Sequence, residues 1–142
     1  MAKYILRKRF KFPIGHRLSK HEGLCKNIHG HNIVCEIALW SNQLNYNDMV
    51  IDFGDVKKMM NPVLEMLDHC FLVNSDDYAE IDHLQKNNRK YILFKGDPTA
   101  ELLSEYIYEF VDLNLPSGVN IHSIRVWENE NADIEYIVED ET

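Results

Sequence analysis

The sequence predicts a single α+β domain spanning residues 1–142, in which four antiparallel strands form one sheet with two helices on one face, in the order ββααββ. Three observations carry this reading. The 142 residues amount to 16.7 kDa, one ordinary domain's worth of chain. Apolar residues alternate at both ends of the chain but recur at helical spacing in the middle. No strand–helix–strand alternation stands out that would call for a parallel sheet.

Residues 3–12 alternate, with Tyr4, Leu6, Phe10 and Phe12 on one parity and Lys3, Arg7, Arg9 and Lys11 on the other, the period of a half-buried strand. Pro13 and Gly15 are expected to end it, which puts His16 on the turn that follows. A second strand is expected over 31–41, where Ile33, Cys35, Ile37 and Leu39 share a face, and residues 42–48 read as a polar turn.

From Asp52 the period changes. Val56, Met59, Met60, Val63, Leu64 and Leu67 form a helical stripe, with Pro62 expected to kink or break it near Asn61. Residues 75–96 look irregular apart from a short apolar run at 91–94, a candidate extra strand. Asp97 and Pro98 read as N-cap and first residue of a second helix, whose stripe is Leu102, Leu103, Tyr106, Ile107, Phe110 and Val111 and which Pro116 and Gly118 close. Strands over 120–128 and 133–139, joined by a turn at 129–132, complete the sheet. Its second face carries Ile5, Val34, Ala38, Trp40, Trp127 and Ile137 on parities turned from the helices, apolar surface that oligomer formation would cover.

Composition narrows the function. With 45% hydrophobic residues and a mean hydropathy of -0.36, the chain can bury a core, and no apolar run reaches the roughly 18 residues of a membrane span. Residues 1–10 are too charged for a signal peptide. Cys25, Cys35 and Cys70 are odd in number and include no C-x-x-C pair, so neither a disulfide framework nor a cysteine zinc site is offered, and a cytoplasmic setting is expected. The formal charge is -8, which opposes general nucleic-acid binding. Eight of the 15 Lys and Arg nevertheless fall in the first 30 residues, against Glu22 alone, a distribution that suits a small anionic ligand and equally a solvated basic edge.

The chemistry concentrates in Cys25-Lys26-Asn27-Ile28-His29-Gly30-His31. Histidines at i and i+2 of an extended chain point to one side, and with His16 they offer three imidazoles and an open fourth position, the donor set of a catalytic zinc. Spacing alone leaves Cys25 open as a fourth ligand, a nucleophile, a base or a small buried residue. Asp68-His69, directly after the first helix stripe, has the make-up of a general acid/base in which the carboxylate fixes the tautomer, or of a helix cap and a surface charge. Glu128 shares parity with Ile124 and Val126, which places a carboxylate at the rim of an apolar face, where a ligand offering N–H donors would offset its desolvation.

These residues resemble the 6-pyruvoyl-tetrahydropterin synthase and 6-carboxy-tetrahydropterin synthase family, in the C-x-x-x-H-G-H run, His16 after F-x-F-x-x-x-H, Ile51-Asp52-Phe53, Leu67-Asp68-His69, Pro98-Thr99-Ala100-Glu101 and a late V-x-E ending at Glu128. The resemblance spans roughly residues 9–136, and the short gap between Cys25 and His29 is similar to the 6-carboxy branch. It implies the tunnelling fold, in which the sheets of three subunits close a barrel and two trimers stack into a homohexamer. It implies Zn2+ on His16, His29 and His31, Cys25 as the proton-abstracting thiolate, and Asp68 and His69 completing a catalytic triad across a subunit boundary. Glu128 would hold the pterin, with Thr99 and Glu101 in support. The implied reaction converts 7,8-dihydroneopterin triphosphate to 6-carboxy-5,6,7,8-tetrahydropterin, acetaldehyde and triphosphate, on the route to queuosine-type 7-deazaguanines. Elimination of triphosphate alone, as in the pyruvoyl synthases, and a non-catalytic zinc or pterin-binding protein are the alternatives. Glu22 is a second candidate base, Ala100 lacks the hydroxyl many relatives carry there, and residues 75–96 are longer than in short bacterial members.

Overall fold

A computed structural model describes residues 2–139. Strands β1 (Tyr4–His16) and β2 (His29–Ser41) form a long antiparallel hairpin in register from Tyr4 opposite Ser41 to His16 opposite His29. Helix α1 (Phe53–Leu67) follows, then β3 (Cys70–Asn74), α2 (Tyr78–Lys86), β4 (Tyr91–Phe94), α3 (Ala100–Asn114), β5 (Asn120–Asn129) and β6 (Ala132–Ile137). The six strands make one sheet in the order β4-β3-β1-β2-β5-β6. Among the described residues, no helix is long and apolar enough to cross a membrane.

The α+β class, the four expected strands, the 91–94 strand and the two main helices are all present. The four-stranded, purely antiparallel sheet is not. β3 pairs with β1 in parallel, Ile14 opposite Cys70, and β4 extends it in parallel, Phe71 opposite Tyr91, with α2 as the crossover between them. Both additions escape a search for periodicity. β3 reads Cys-Phe-Leu-Val-Asn and four of its five residues are buried, so it shows no alternation. α2 buries Leu84 alone, so it shows no apolar stripe.

β1 does not stop at Pro13. In a strand, a residue's N–H and C=O point to the same side, and the Pro13 carbonyl accepts the His69 N–H at 2.9 Å. The N–H that proline lacks therefore faces β3 rather than β2, and the β1–β2 ladder runs through to His16. Pro62 likewise leaves α1 unbroken. It lies on the exposed side of the helix, where water can take up the Lys58 carbonyl that a residue-62 N–H would have bonded. Asp52 caps α1 by accepting the Gly54 N–H at 2.6 Å. Thr99, not Asp97, caps α3, accepting the Leu102 N–H at 3.2 Å. Gly118, at φ 84°, turns the chain from α3 into β5.

One face of the sheet packs under α1 and α3. Phe12, Ile14, Ile33, Cys35, Ile37, Leu39, Ile124 and Val126 join Val56, Met60, Val63, Leu67, Leu103, Ile107 and Val111 in one buried cluster. The other face is more polar than its isolated apolar residues suggest. The guanidinium groups of Arg9 and Arg125 lie 4.6 and 4.5 Å from the centre of the Trp127 ring, and Arg9 pairs with the buried Glu36 at 2.9 Å. Ala38 is fully covered, while Ile5 and Ile137 stay exposed.

Candidate metal centre and adjoining cavities

Hairpin register assembles the histidines. His16 stands directly opposite His29, and His31, two residues on, shares the face of His29. Their ring centres lie 4.5, 5.0 and 5.0 Å apart, and one ligand atom from each falls within 4.8 Å of the others. The cluster closes the end of the helix-covered face, where His16 is 2% exposed.

Second partners orient the rings. His16 Nδ1 is 2.8 Å from the Pro98 carbonyl and His29 Nδ1 is 2.7 Å from the Asn27 carbonyl. Each Nδ1–H donates there, which leaves both Nε2 atoms as lone-pair donors, the usual arrangement behind a metal-ligating histidine. Burial, reinforced by His29 and His31, pulls the His16 imidazole below its ordinary pKa despite the Pro98 bond and Glu128, so it stays neutral as a ligand must be. His31 Nε2 is buried with no hydrogen-bond partner among the described residues, and Glu128 Oε2 is 3.7 Å away. Three convergent imidazoles, one of them with an orphaned ring nitrogen, fit a divalent metal of the zinc class.

Glu128 reaches the cluster by strand parity, next to an irregularity. The β5–β6 register shifts between Trp127 and Asn129, and this bulge frees Glu128 from the ladder with its side chain on the parity of Ile124 and Val126. Glu128, Thr99 and Glu101 line one cavity of about 250 Å³ together with Leu18, Val126 and Asp133. The Thr99 hydroxyl is engaged in capping α3, so its contribution is to fix the helix start beside that cavity.

The loop of residues 17–28 carries Cys25 on a single 3-10 turn, Leu24–Lys26. Its base is fastened three ways. Arg17 Nε lies 3.2 Å from Asp77 at the start of α2, the Leu18 N–H donates to the Cys25 carbonyl at 2.8 Å, and Asp97 accepts from the Ser19 hydroxyl at 2.6 Å and the Lys20 N–H at 2.9 Å. Burial alone would raise the Asp97 carboxyl. The bonds from Asn74, Ser19 and Lys20 outweigh it and hold it at about 2. Cys25 is half-buried and is not among the described groups that converge on the histidines. Cys35 and Cys70 are sealed in the core, where burial pushes both thiols up, Cys70 to about 11. Glu22 is exposed in the same loop.

Asp68 and His69 form a pair, His69 Nδ1 donating to Asp68 Oδ1 at 2.8 Å, with both side chains largely in solvent. They sit at a different place in the chain's surface. His69 lines a cavity of about 440 Å³ with Ile14, Ile28, His83, Leu84, Arg89 and Lys90, separate from the cavity of Glu128. Sequence reasoning passed over Arg17, Lys90, Asp97 and the Pro98 carbonyl as site-supporting groups. Only Asp97 carried a signal, and it pointed to a helix cap.

A family model described as "6-pyruvoyl tetrahydropterin synthase" matches residues 5–139. The chain is 28% identical to 6-carboxy-5,6,7,8-tetrahydropterin synthase of Aquifex aeolicus, over 94% of this chain and 98% of that one. It is 32% identical to the protein of that name from Haemophilus influenzae, over 91% and 95%. The structure of Caenorhabditis elegans 6-pyruvoyl tetrahydropterin synthase superposes with a TM-score of 0.71 at 24% identity, over 98% of each chain, and supports the fold. The matched range extends from β1 past the end of β6, and it takes in the three histidines, Glu128 and the Asp68–His69 corner alike. On that extent of agreement, this chain belongs to the 6-pyruvoyl tetrahydropterin synthase family.

Proposed function

We propose that this chain is a zinc-dependent 6-carboxy-5,6,7,8-tetrahydropterin synthase that converts 7,8-dihydroneopterin triphosphate to 6-carboxytetrahydropterin, acetaldehyde and triphosphate, a cytoplasmic step towards queuosine. The observation that carries it is the three-histidine cluster standing 3.7 Å from a carboxylate that lines an adjoining cavity. The names of the Aquifex and Haemophilus relatives favour the carboxy product.

His16, His29 and His31 hold the metal, which when bound supplies Lewis-acid polarisation of the substrate's side-chain hydroxyls. Glu128 takes the paired N–H donors of the pterin's amino-pyrimidinone edge on its two oxygens and sets the ring's orientation. Thr99 and Glu101, at the start of α3, wall that cavity. The Cys25 thiolate removes a proton from the side-chain carbon. Asp68 fixes the His69 tautomer so that Nε2 exchanges protons with the departing fragment.

Asp68 and His69 open on a cavity of their own, so the reading assigns them to the metal centre of a second copy within a homohexamer built as a dimer of trimers. Incubating the purified protein with dihydroneopterin triphosphate and identifying products tests the assignment. Acetaldehyde with the 6-carboxy pterin is expected. Triphosphate release with the side chain retained would make it a pyruvoyl synthase, and no turnover by zinc-loaded protein would leave a binding protein. Light scattering on the same sample should show six chains, and a stable monomer would overturn the shared site.

A further inference from the structure

α1 ends with no basic side chain in its last turn, although the final carbonyls of a helix lack N–H partners and favour positive charge. The cation arrives from elsewhere. Lys90, at the entry to β4, donates from Nζ to the carbonyl of Glu65 at 2.5 Å and of Asp68 at 2.7 Å. Its own carbonyl accepts the Phe71 N–H at 3.0 Å. One residue thereby grips both sides of the corner between α1 and β3.

His69 sits inside that grip with φ 55°, a left-handed conformation that strains a residue bearing a Cβ. Such a conformation persists only where the surroundings over-determine it. Packing does not do so here, since the His69 and Asp68 side chains are 80% and 53% exposed. The peptide unit between them does. Its oxygen is held by Lys90 Nζ and its N–H by the Pro13 carbonyl at 2.9 Å, and because that unit is planar, fixing both ends fixes the plane from which the His69 φ is measured.

We infer that Lys90 is a positioning residue for His69: its ammonium pins the 68–69 peptide so that the imidazole stands out of the corner with Nδ1 on Asp68 and Nε2 without a partner among the described residues. What His69 then does rests on the function proposed above, whereas the pinning does not. This assigns a task to the turn after α2, in the segment whose added length the family resemblance leaves without one.

The test compares Lys90→Met, which keeps the stem and removes the donor, with Lys90→Arg, which keeps the cation. Amide hydrogen exchange, zinc content, kcat and KM are read on the intact assembly. Lys90→Met should speed exchange at Asp68 and His69 several-fold without changing the α3 core, and lower kcat about 10- to 100-fold. KM and zinc per chain should stay within about twofold, and Lys90→Arg should restore most of the loss. Unchanged exchange at Asp68 and His69 would overturn the inference whatever the activity. So would a loss confined to KM, or a kcat that survives faster exchange. Where Lys90→Met does not fold, Lys90→Gln is read by the same criteria, and global unfolding of both would make Lys90 a general stabiliser and overturn the positioning role. If the wild type itself fails to turn over the pterin, the proposed function falls while the exchange result still decides this point.

Discussion

Glu128 Oε2 lies 3.7 Å from His31 Nε2 although the two residues are almost a hundred positions apart, because Glu128 continues the parity of Ile124 and Val126 to the end of β5, where the register with β6 shifts. One carboxylate thereby borders both the histidine cluster and the cavity beside α3.

Glu128→Ala is expected to weaken substrate binding by about 2–4 kcal/mol, the scale of two buried charge-assisted hydrogen bonds. Glu128→Gln should lose less, because one acceptor oxygen remains. Zinc content should stay unchanged in both. Titration of substrate into each variant gives the affinities, and a wild-type affinity in Glu128→Ala would shift the pterin anchor to Glu101.

Elemental analysis of dialysed protein should find about one zinc per chain. His31→Ala, which removes a buried ring nitrogen without a hydrogen-bond partner among the described residues, should bring the content close to zero. Folding should survive the loss, since the apolar core under α1 and α3 does not include the cluster. Zinc retained in His31→Ala would refute the ligand set.

Native alkylation should modify Cys25 and spare Cys35 and Cys70, which are buried with raised thiol pKa. Cys25→Ala should abolish this labelling, keep zinc, and lower turnover by about 10²–10⁴-fold, the usual worth of a positioned base. Activity retained in that variant would move the role to Glu22, and loss of zinc would make Cys25 a ligand.

Acid should loosen the loop after β1. The Asp97 carboxyl is held at about 2 against an ordinary 3.8, so between those values the unfolded chain binds the proton and the folded chain does not. The resulting stability is complete above the ordinary value and is lost as pH falls towards about 2. Asp97→Asn should cost about 1–2 kcal/mol at neutral pH, and its deficit in thermal unfolding should shrink between about pH 5 and pH 2. A deficit independent of pH would disprove the account.

The legible parts of the fold were those with a clean period. Phe10 and Phe12 against Arg9 and Lys11, and Val56, Met60, Val63 and Leu67, are buried or exposed as their spacing requires. β3 was lost because Phe71, Leu72 and Val73 follow the α1 stripe closely, and a strand buried between two others has no polar face to reveal it. The cap of α3 was misread between two residues of equal capping chemistry. Asp97 and Thr99 both suit an N-cap, and only the distant partners Ser19, Lys20 and Asn74 take Asp97 out of competition. The histidines were legible as a set because an i, i+2 pair needs only an extended backbone. The position of His16 opposite His29 needed the register, and that passed through a proline read as a stop.

The hydrogen bond from His16 to the Pro98 carbonyl joins positions 82 residues apart, and this sets the order in which the metal centre can mature. The first hairpin brings His29 and His31 to one face and orients the His29 ring, but the His16 tautomer is chosen only when the start of α3 has docked. A chain still being synthesised, or one truncated before α3, holds two imidazoles ready and a third undirected. If the cluster takes a metal as proposed, full affinity would require a chain folded through the start of α3, and the binding energy would feed back onto closure of a loop that spans more than half the chain.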